Sequence, residues 1–287
     1  MSSLLPTEPV AATEVAHPGS VPIWVHPGWR EAYPWLLQGV TARGGESSPF
    51  DLGLFAGGSG VDVLERWDAL RTALSAPTAV HARQIHGAAV RHHRAGPPGL
   101  WVVDPCDGHL TSAPGLVLSV AVADCVPVTL LDPTTRSVMI LHAGWRGTAA
   151  GVVEAGLAAL TQRLDVAADS IVAHLGPAIC GECYEVGVEV YRALGLPVPD
   201  GPRPLDLRRV VAGRLQSGGV DGGRISISTW CTRCGESPFF SHRGGDGQRQ
   251  VAFVGVDKLN IVVVAEHADN FFSFVFPQES VVHEDTG

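Results

Sequence analysis

At 287 residues with 45% hydrophobic composition, the chain is long enough for one large or two ordinary domains and can bury a substantial core. A formal net charge of −9 argues against a general nucleic-acid binder, because affinity for a phosphate backbone needs a basic footprint. No breaker-free apolar run of about 18 residues occurs, so no membrane span is expected. The first 29 residues carry neither Lys nor Arg, so the charged start of a secretory signal is missing and the expected location is cytoplasmic. The six cysteines are accordingly read as reduced thiols.

Residues 1–19, rich in Ser, Pro, Ala and Thr without periodicity, are expected to be a disordered segment. A strand is expected over 36–41, leading into Arg43-Gly44-Gly45, and the spacing of Val63, Leu64, Trp67, Leu70 and Leu74 predicts a helix over 61–74. Residues 80–90 alternate like a strand pair interrupted by Gln84-Ile85-His86-Gly87. The apolar run 115–122 reads as a buried strand ending at Asp124-Cys125. Two further strand-like runs, 126–131 and 138–141, joined by a turn through Thr134 and Thr135, would bring Cys125 and His142 to one rim. A helix over 148–164 with Thr148 as N-cap follows. After it come a strand over 170–175, helices over 182–194 and 205–215, and strands over 225–229, 251–256 and 261–265. With no fixed-period repeat and no long linker, residues 20–287 read as a single α+β domain.

Three readings of the reactive residues remain open at this point. His86, beside glycine at a strand-like end, joins Cys125 and His142 as two imidazoles and a thiolate. That donor set suits Zn²⁺ and leaves a fourth position open, the pattern of catalytic zinc. Alternatively, Cys125 is a nucleophile and His142 its base, which leaves His86 without a role. Third, the Cys-x-x-Cys pairs Cys180/Cys183 and Cys231/Cys234 have the spacing of a four-cysteine structural zinc site, although they lie far apart in sequence. Arg43, Arg146 and Arg243 are candidates to hold a phosphate or carboxylate by paired hydrogen bonds.

Several motifs together resemble a known family. They are Gln84-Ile85-His86-Gly87, Ala123-Asp124-Cys125-Val126-Pro127-Val128, His142-Ala143-Gly144-Trp145-Arg146-Gly147, Gly176-Pro177-Ala178-Ile179 with Cys183-Tyr184-Glu185-Val186-Gly187, and Cys231-Thr232-Arg233-Cys234 with Phe239-Phe240-Ser241. Over about 38–256 the chain is similar to the YfiH-like family, whose members have been labelled laccase-domain or polyphenol oxidase proteins. The resemblance implies a single-domain α+β fold of layered mixed β-sheets flanked by helices. It also implies a metal on His86, Cys125 and His142, usually taken as zinc, with copper reported for relatives.

The implied activity is purine nucleoside phosphorolysis, in which phosphate displaces the base of adenosine, inosine, guanosine or methylthioadenosine; adenosine deamination is a second. Arg146 then joins the three ligands as catalytic, and Arg43, Gln84, Asp124 and Arg243 are expected to bind substrate or phosphate. The segment Asp51-Leu52-Gly53-Leu54-Phe55-Ala56-Gly57-Gly58 departs from the family, which has Asn at the Asp51 position and a loop histidine that is absent here. An added carboxylate there is expected to alter phosphate or ribose binding. Cys180 is also unexpected, so the first Cys-x-x-Cys pair reads as incidental. A multicopper laccase would need His-x-His pairs and a three-copper cluster, and the chain has no His-x-His, so a copper-dependent polyphenol oxidase ranks as the alternative, with a zinc-stabilised binding module, in which the three ligands only hold the fold, as a further one.

Overall fold

A computed structural model describes residues 7–45, 47–56 and 60–258. The expected hairpin is formed. Strands Val126–Asp132 and Ser137–Ala143 run antiparallel, with Val126 opposite Ala143 and Asp132 opposite Ser137. Asp132 closes its turn by accepting hydrogen bonds from Thr135 N and Oγ1, both at 2.7 Å. Because side chains alternate along a strand, Val128, Leu130, Met139 and Leu141 enter one core while Leu131, Val138 and Ile140 enter another.

This hairpin lies inside a seven-stranded mixed sheet ordered Val10–Ala12, Ile225–Ser228, Val172–Leu175, Val126–Asp132, Ser137–Ala143, Gly108–Thr111 and Val90–His92. A second seven-stranded sheet is ordered Val15–His17, Ile23–Val25, Leu36–Thr41, Gln250–Val256, Leu116–Val122, Thr78–Ala82 and Gly99–Val103. The inner core joins the two sheets: Leu131 and Ile140 meet Leu118, Val120 and Val254. Helices Val152–Leu164 and Leu207–Ser217 cover the outer face of the first sheet through Val153, Leu160, Val211 and Leu215. Helix Gly60–Ala73 covers the second through Val63, Trp67 and Leu70. The architecture is thus four layers, helix, sheet, sheet, helix, as buried two-faced strands require. None of the described helices is long and apolar enough to cross a membrane.

Several expectations need correction. Within the segment expected to be disordered, Val10–Ala12 pairs in parallel with Ile225–Ser228 and Val15–His17 pairs with Ile23–Val25. Glu14 between them is buried and accepts hydrogen bonds from His174 Nε2 and Ser228 Oγ, both at 2.7 Å. Three-residue strands show no periodicity, and their partners lie elsewhere in the chain. The strand pair expected over 80–90 is instead two strands in different sheets. The helix expected over 148–164 breaks into Trp145–Ala149 and Val152–Leu164 at Gly151, whose φ of 88° is left-handed, so Thr148 lies within the first piece and caps nothing. Over 182–194 only Val188–Leu194 is α-helical. The strand expected over 261–265 lies outside the described residues.

His81 is buried in the second sheet, its Nδ1 3.0 Å from Ser119 Oγ. Burial lowers its imidazole from 6.5 to about 4, against the weaker opposing effect of the Ser119 contact. Between those values the unfolded chain binds a proton that the folded chain refuses. Stability from this group is therefore complete above pH 6.5 and is lost progressively as pH falls toward 4, by about 3 kcal/mol at most. Thermal melts should show Tm falling between pH 7 and pH 5, and His81→Asn should flatten that slope.

Candidate metal centre

The hairpin register sets two of the candidate ligands. His142 lies opposite Pro127, and Cys125 immediately precedes Val126, which lies opposite Ala143. The third ligand, His86, comes from the loop after Thr78–Ala82 and adopts a left-handed φ of 56°. One ligand atom from each of His86, Cys125 and His142 lies within 4.8 Å of the others. Gly144 makes this approach possible, since a Cβ there would sit 2.9 Å from Cys125 Sγ and 3.1 Å from His86 Cδ2.

Asp107 holds the arrangement and is the residue that sequence reasoning missed. Fully buried, it accepts hydrogen bonds from the backbone N–H groups of Ile85 at 3.2 Å, His86 at 3.0 Å and Gly87 at 2.8 Å. Its Oδ1 also lies 2.9 Å from His142 Nδ1. An ionised carboxylate only accepts, so Nδ1 carries the proton and Nε2 is left free to bind a metal. Burial would raise the Asp107 carboxyl, but the bonds from His142, Gly87 and Ile85 outweigh it and hold it below the usual carboxylate range. In the sequence, Asp107-Gly108 reads only as a turn pair, and the strand Gly108–Thr111 that starts there has Leu110 as its one large apolar residue, so it gives no pattern to point at Asp107.

Burial likewise disfavours the Cys125 thiolate, yet the charge of His142 and hydrogen bonds from His142 and His86 bring its pKa down to about 6. The same pairing raises His142 to about 9 against burial. A thiolate and two imidazoles with convergent atoms, one imidazole fixed by a carboxylate, is a donor set that fits a metal with one position left open.

The three ligands open into a cavity of about 370 Å³, within the ordinary range for small-molecule sites. Its remaining wall includes Leu54, Phe55, Arg83, Gln84, His242 and Arg249. The guanidinium of Arg83 makes no hydrogen bond or ion pair among the described residues, and Phe55 is 53% exposed. Neither stood out in the sequence, because a single Arg or Phe in a loop carries no pattern.

The other expected binding residues are placed differently. Arg43 is held away from the cavity wall by a two-pronged pair with Asp246 at 2.9 and 2.8 Å and by a bond to Phe239 O. Gln84 lines the cavity, but its amide donates to Ala121 O at 2.7 Å and accepts from Ala121 N at 2.8 Å, so it fixes a strand end instead of presenting a free amide. Asp124, at a left-handed φ of 89°, accepts from Thr232 Oγ1 at 2.6 Å and from Arg243 N at 2.7 Å and is likewise a positioning group. Asp51 turns its carboxylate onto the N–H groups of Gly53 and Arg249, both at 2.9 Å, and so shapes the cavity wall from behind. Arg146 and Arg243 share a neighbouring cleft beside Tyr184, each stacked on an aromatic ring, and do not line the ligand cavity.

The family model described as "Multi-copper polyphenol oxidoreductase laccase" matches residues 38–257. A protein from Geobacillus stearothermophilus named purine nucleoside phosphorylase YlmD is 34% identical over 263 residues, 79% of this chain and 96% of its own length. Adenosine deaminase RL5, from an unknown prokaryotic organism, is 35% identical over 148 residues, 48% of this chain and 56% of its own. The crystal structure of the Bacillus licheniformis hypothetical protein YfiH superposes with a TM-score of 0.75 at 28% identity, over 82% of this chain and 96% of that one. Since the matched span contains His86, Cys125, His142 and the Asp107 that orders them, the chain belongs to the multi-copper polyphenol oxidoreductase laccase family and has the fold of its YfiH-like members.

Proposed function

We propose that the chain is a zinc-dependent purine nucleoside phosphorylase of the cytoplasm, converting adenosine, inosine, guanosine or methylthioadenosine and phosphate to free base and ribose 1-phosphate. The observation that carries this reading is one cavity with a three-ligand metal site on one wall and Arg83, Arg249 and His242 on another. Its support among relatives is the naming of the Geobacillus protein as a purine nucleoside phosphorylase.

In the reaction, the bond from ribose C1′ to the purine nitrogen breaks and its electron pair leaves with the base, while a phosphate oxygen bonds to C1′. The sugar becomes cation-like and the base gains negative charge, so the site must hold an anion on one side and stabilise another on the opposite side. When bound by His86, Cys125 and His142, zinc supplies an electrophile on the side of the base. Arg83 binds the incoming phosphate by charge-assisted hydrogen bonds, and Arg249, whose Nη1 already donates to Gly247 O at 3.0 Å and Gln248 O at 2.7 Å, adds its positive charge to the same wall. The exposed ring of Phe55 offers a stacking face for the purine. Leu54, Ala56, Ala121 and Ala123 form apolar wall that limits water at C1′. Asp107 keeps the His142 proton on Nδ1 throughout.

Deamination of adenosine is a second reading, favoured by the similarity to adenosine deaminase RL5. Water then replaces phosphate as nucleophile and ammonia leaves the purine carbon that bears the amino group. Multicopper oxidase chemistry fits the residues poorly. It needs a blue copper site and a three-copper cluster, whereas the candidate metal groups among the described residues are one two-histidine, one-cysteine set and one set of four cysteines. A cysteine hydrolase would leave His86, which Asp107 holds in place through its backbone, without a task.

Chromatography of a nucleoside panel with and without phosphate tests the proposal. Free base and ribose 1-phosphate should form together and only with phosphate, and Cys125→Ala should abolish both; base release unchanged in that variant would overturn the proposed mechanism. Removing one charged hydrogen-bonding group costs about 1.5–3 kcal/mol. Arg83→Ala should therefore raise KM for phosphate about 10- to 100-fold, with Arg146→Ala and Arg243→Ala changing it little. The reverse order would move the phosphate to the neighbouring cleft.

A further inference from the structure

The strands Val172–Leu175 and Ile225–Ser228 are parallel neighbours, so the chain leaves both at the same end of the sheet. Pairing continues past them, with a bridge between Ala178 and Cys231 and a bond from Thr232 N to Ala178 O at 3.2 Å. Cys180-Gly181-Glu182-Cys183 and Cys231-Thr232-Arg233-Cys234 are thereby brought face to face, although nearly fifty residues separate them in sequence. The pair that read as incidental is half of a cluster: the Sγ atoms of Cys180, Cys183, Cys231 and Cys234 all lie within 4.8 Å of one another.

We propose that these four cysteines form a second metal site, a closed tetrathiolate zinc centre distinct from the three-ligand site. A tetrahedron with zinc–sulfur bonds of about 2.3 Å has sulfur–sulfur edges of about 3.8 Å. Cys180 Sγ and Cys234 Sγ are 3.8 Å apart. That separation far exceeds a disulfide bond of about 2.05 Å. The mutual spacing has room for one ion and not for a multi-iron cluster.

The surroundings of Cys231 suit a thiolate. Cys231 Sγ accepts from the backbone N–H groups of Cys180 at 3.2 Å and Arg233 at 3.4 Å, donors of the kind that hold metal-bound sulfur in place. The Arg233 side chain bonds Cys183 O at 3.2 Å, placing a cation beside the cluster and tying the second turn to the first.

Four protein ligands leave no open position, so this centre is structural. What it holds is evident from the residues between the cysteines. Thr232 donates to Asp124 Oδ1, and Ile179 N, just before Cys180, donates to Asp124 O at 3.1 Å. The clamp therefore fixes from both sides the strained residue that precedes Cys125.

The test is zinc content per chain, by plasma mass spectrometry, of protein purified under reducing conditions after zinc-supplemented expression. The wild type should hold two equivalents, with one lost in Cys183→Ser/Cys234→Ser and the other lost in Cys125→Ala. Should the double variant fail to fold, the wild type decides. Alkylation followed by peptide mass spectrometry should find Cys180, Cys183, Cys231 and Cys234 protected until a strong chelator is added, and cobalt substitution should give charge-transfer absorption that persists in Cys125→Ala. A single zinc equivalent lost only in Cys125→Ala, alkylation of the four cysteines unaffected by chelator, or disulfides among them in the purified protein would each overturn the proposal. None of these readouts depends on nucleoside turnover, so failure of the phosphorylase reading leaves this one standing.

Discussion

The candidate metal centre depends on one buried carboxylate. Asp107 gathers three consecutive backbone N–H groups from the His86 loop and the Nδ1–H of His142 onto two oxygens. A carboxylate taken out of water is costly unless each lone pair finds a donor. Here the donors belong to the segments that must converge, so satisfying the charge and assembling the ligands are the same event. The left-handed backbone at His86 is strained for a residue with a side chain and is held by this anchor. Gly144 completes the arrangement by leaving the space that the thiol and imidazole occupy.

The sheets supply the other half of the geometry. Cys125 and His142 are adjacent because a four-residue turn joins their strands, and that hairpin sits in the middle of a seven-stranded sheet packed on both faces. A register slip of one residue would exchange its two apolar faces, so the position of the ligands is tied to the core. Asp124 extends the same logic to the chain around the thiol, its carboxylate held by Thr232 and Arg243 from the segment that follows Ile225–Ser228, two strands away in the sheet.

What was legible in the sequence followed from local pattern. The hairpin, the apolar strands 36–41 and 115–122, and the helix over 61–74 announce themselves by period, and the candidate ligands His86, Cys125 and His142 stand at strand-like ends, His86 directly before a glycine. Pairings with distant partners were not legible. The short strands near the start find their edge only beside Ile23–Val25 and Ile225–Ser228, and the Cys-x-x-Cys pairs meet only because two strands run parallel. The placement of the arginines was not legible for a related reason. Arg43 sits next to two glycines, as an anion-binding residue would, yet Asp246 satisfies it, while Arg83 and Arg249 reach the cavity from loops without any motif.

The most direct test of the Asp107 anchor is the zinc concentration at which Cys125 becomes protected from alkylation, read by peptide mass spectrometry so that other cysteines do not intervene. Outer partners of metal-bound histidines typically contribute about 10- to 100-fold in affinity. Asp107→Asn should raise the protecting concentration by that factor. Protection of Cys125 at the same zinc concentration in the variant and the wild type would contradict a site organised by this carboxylate.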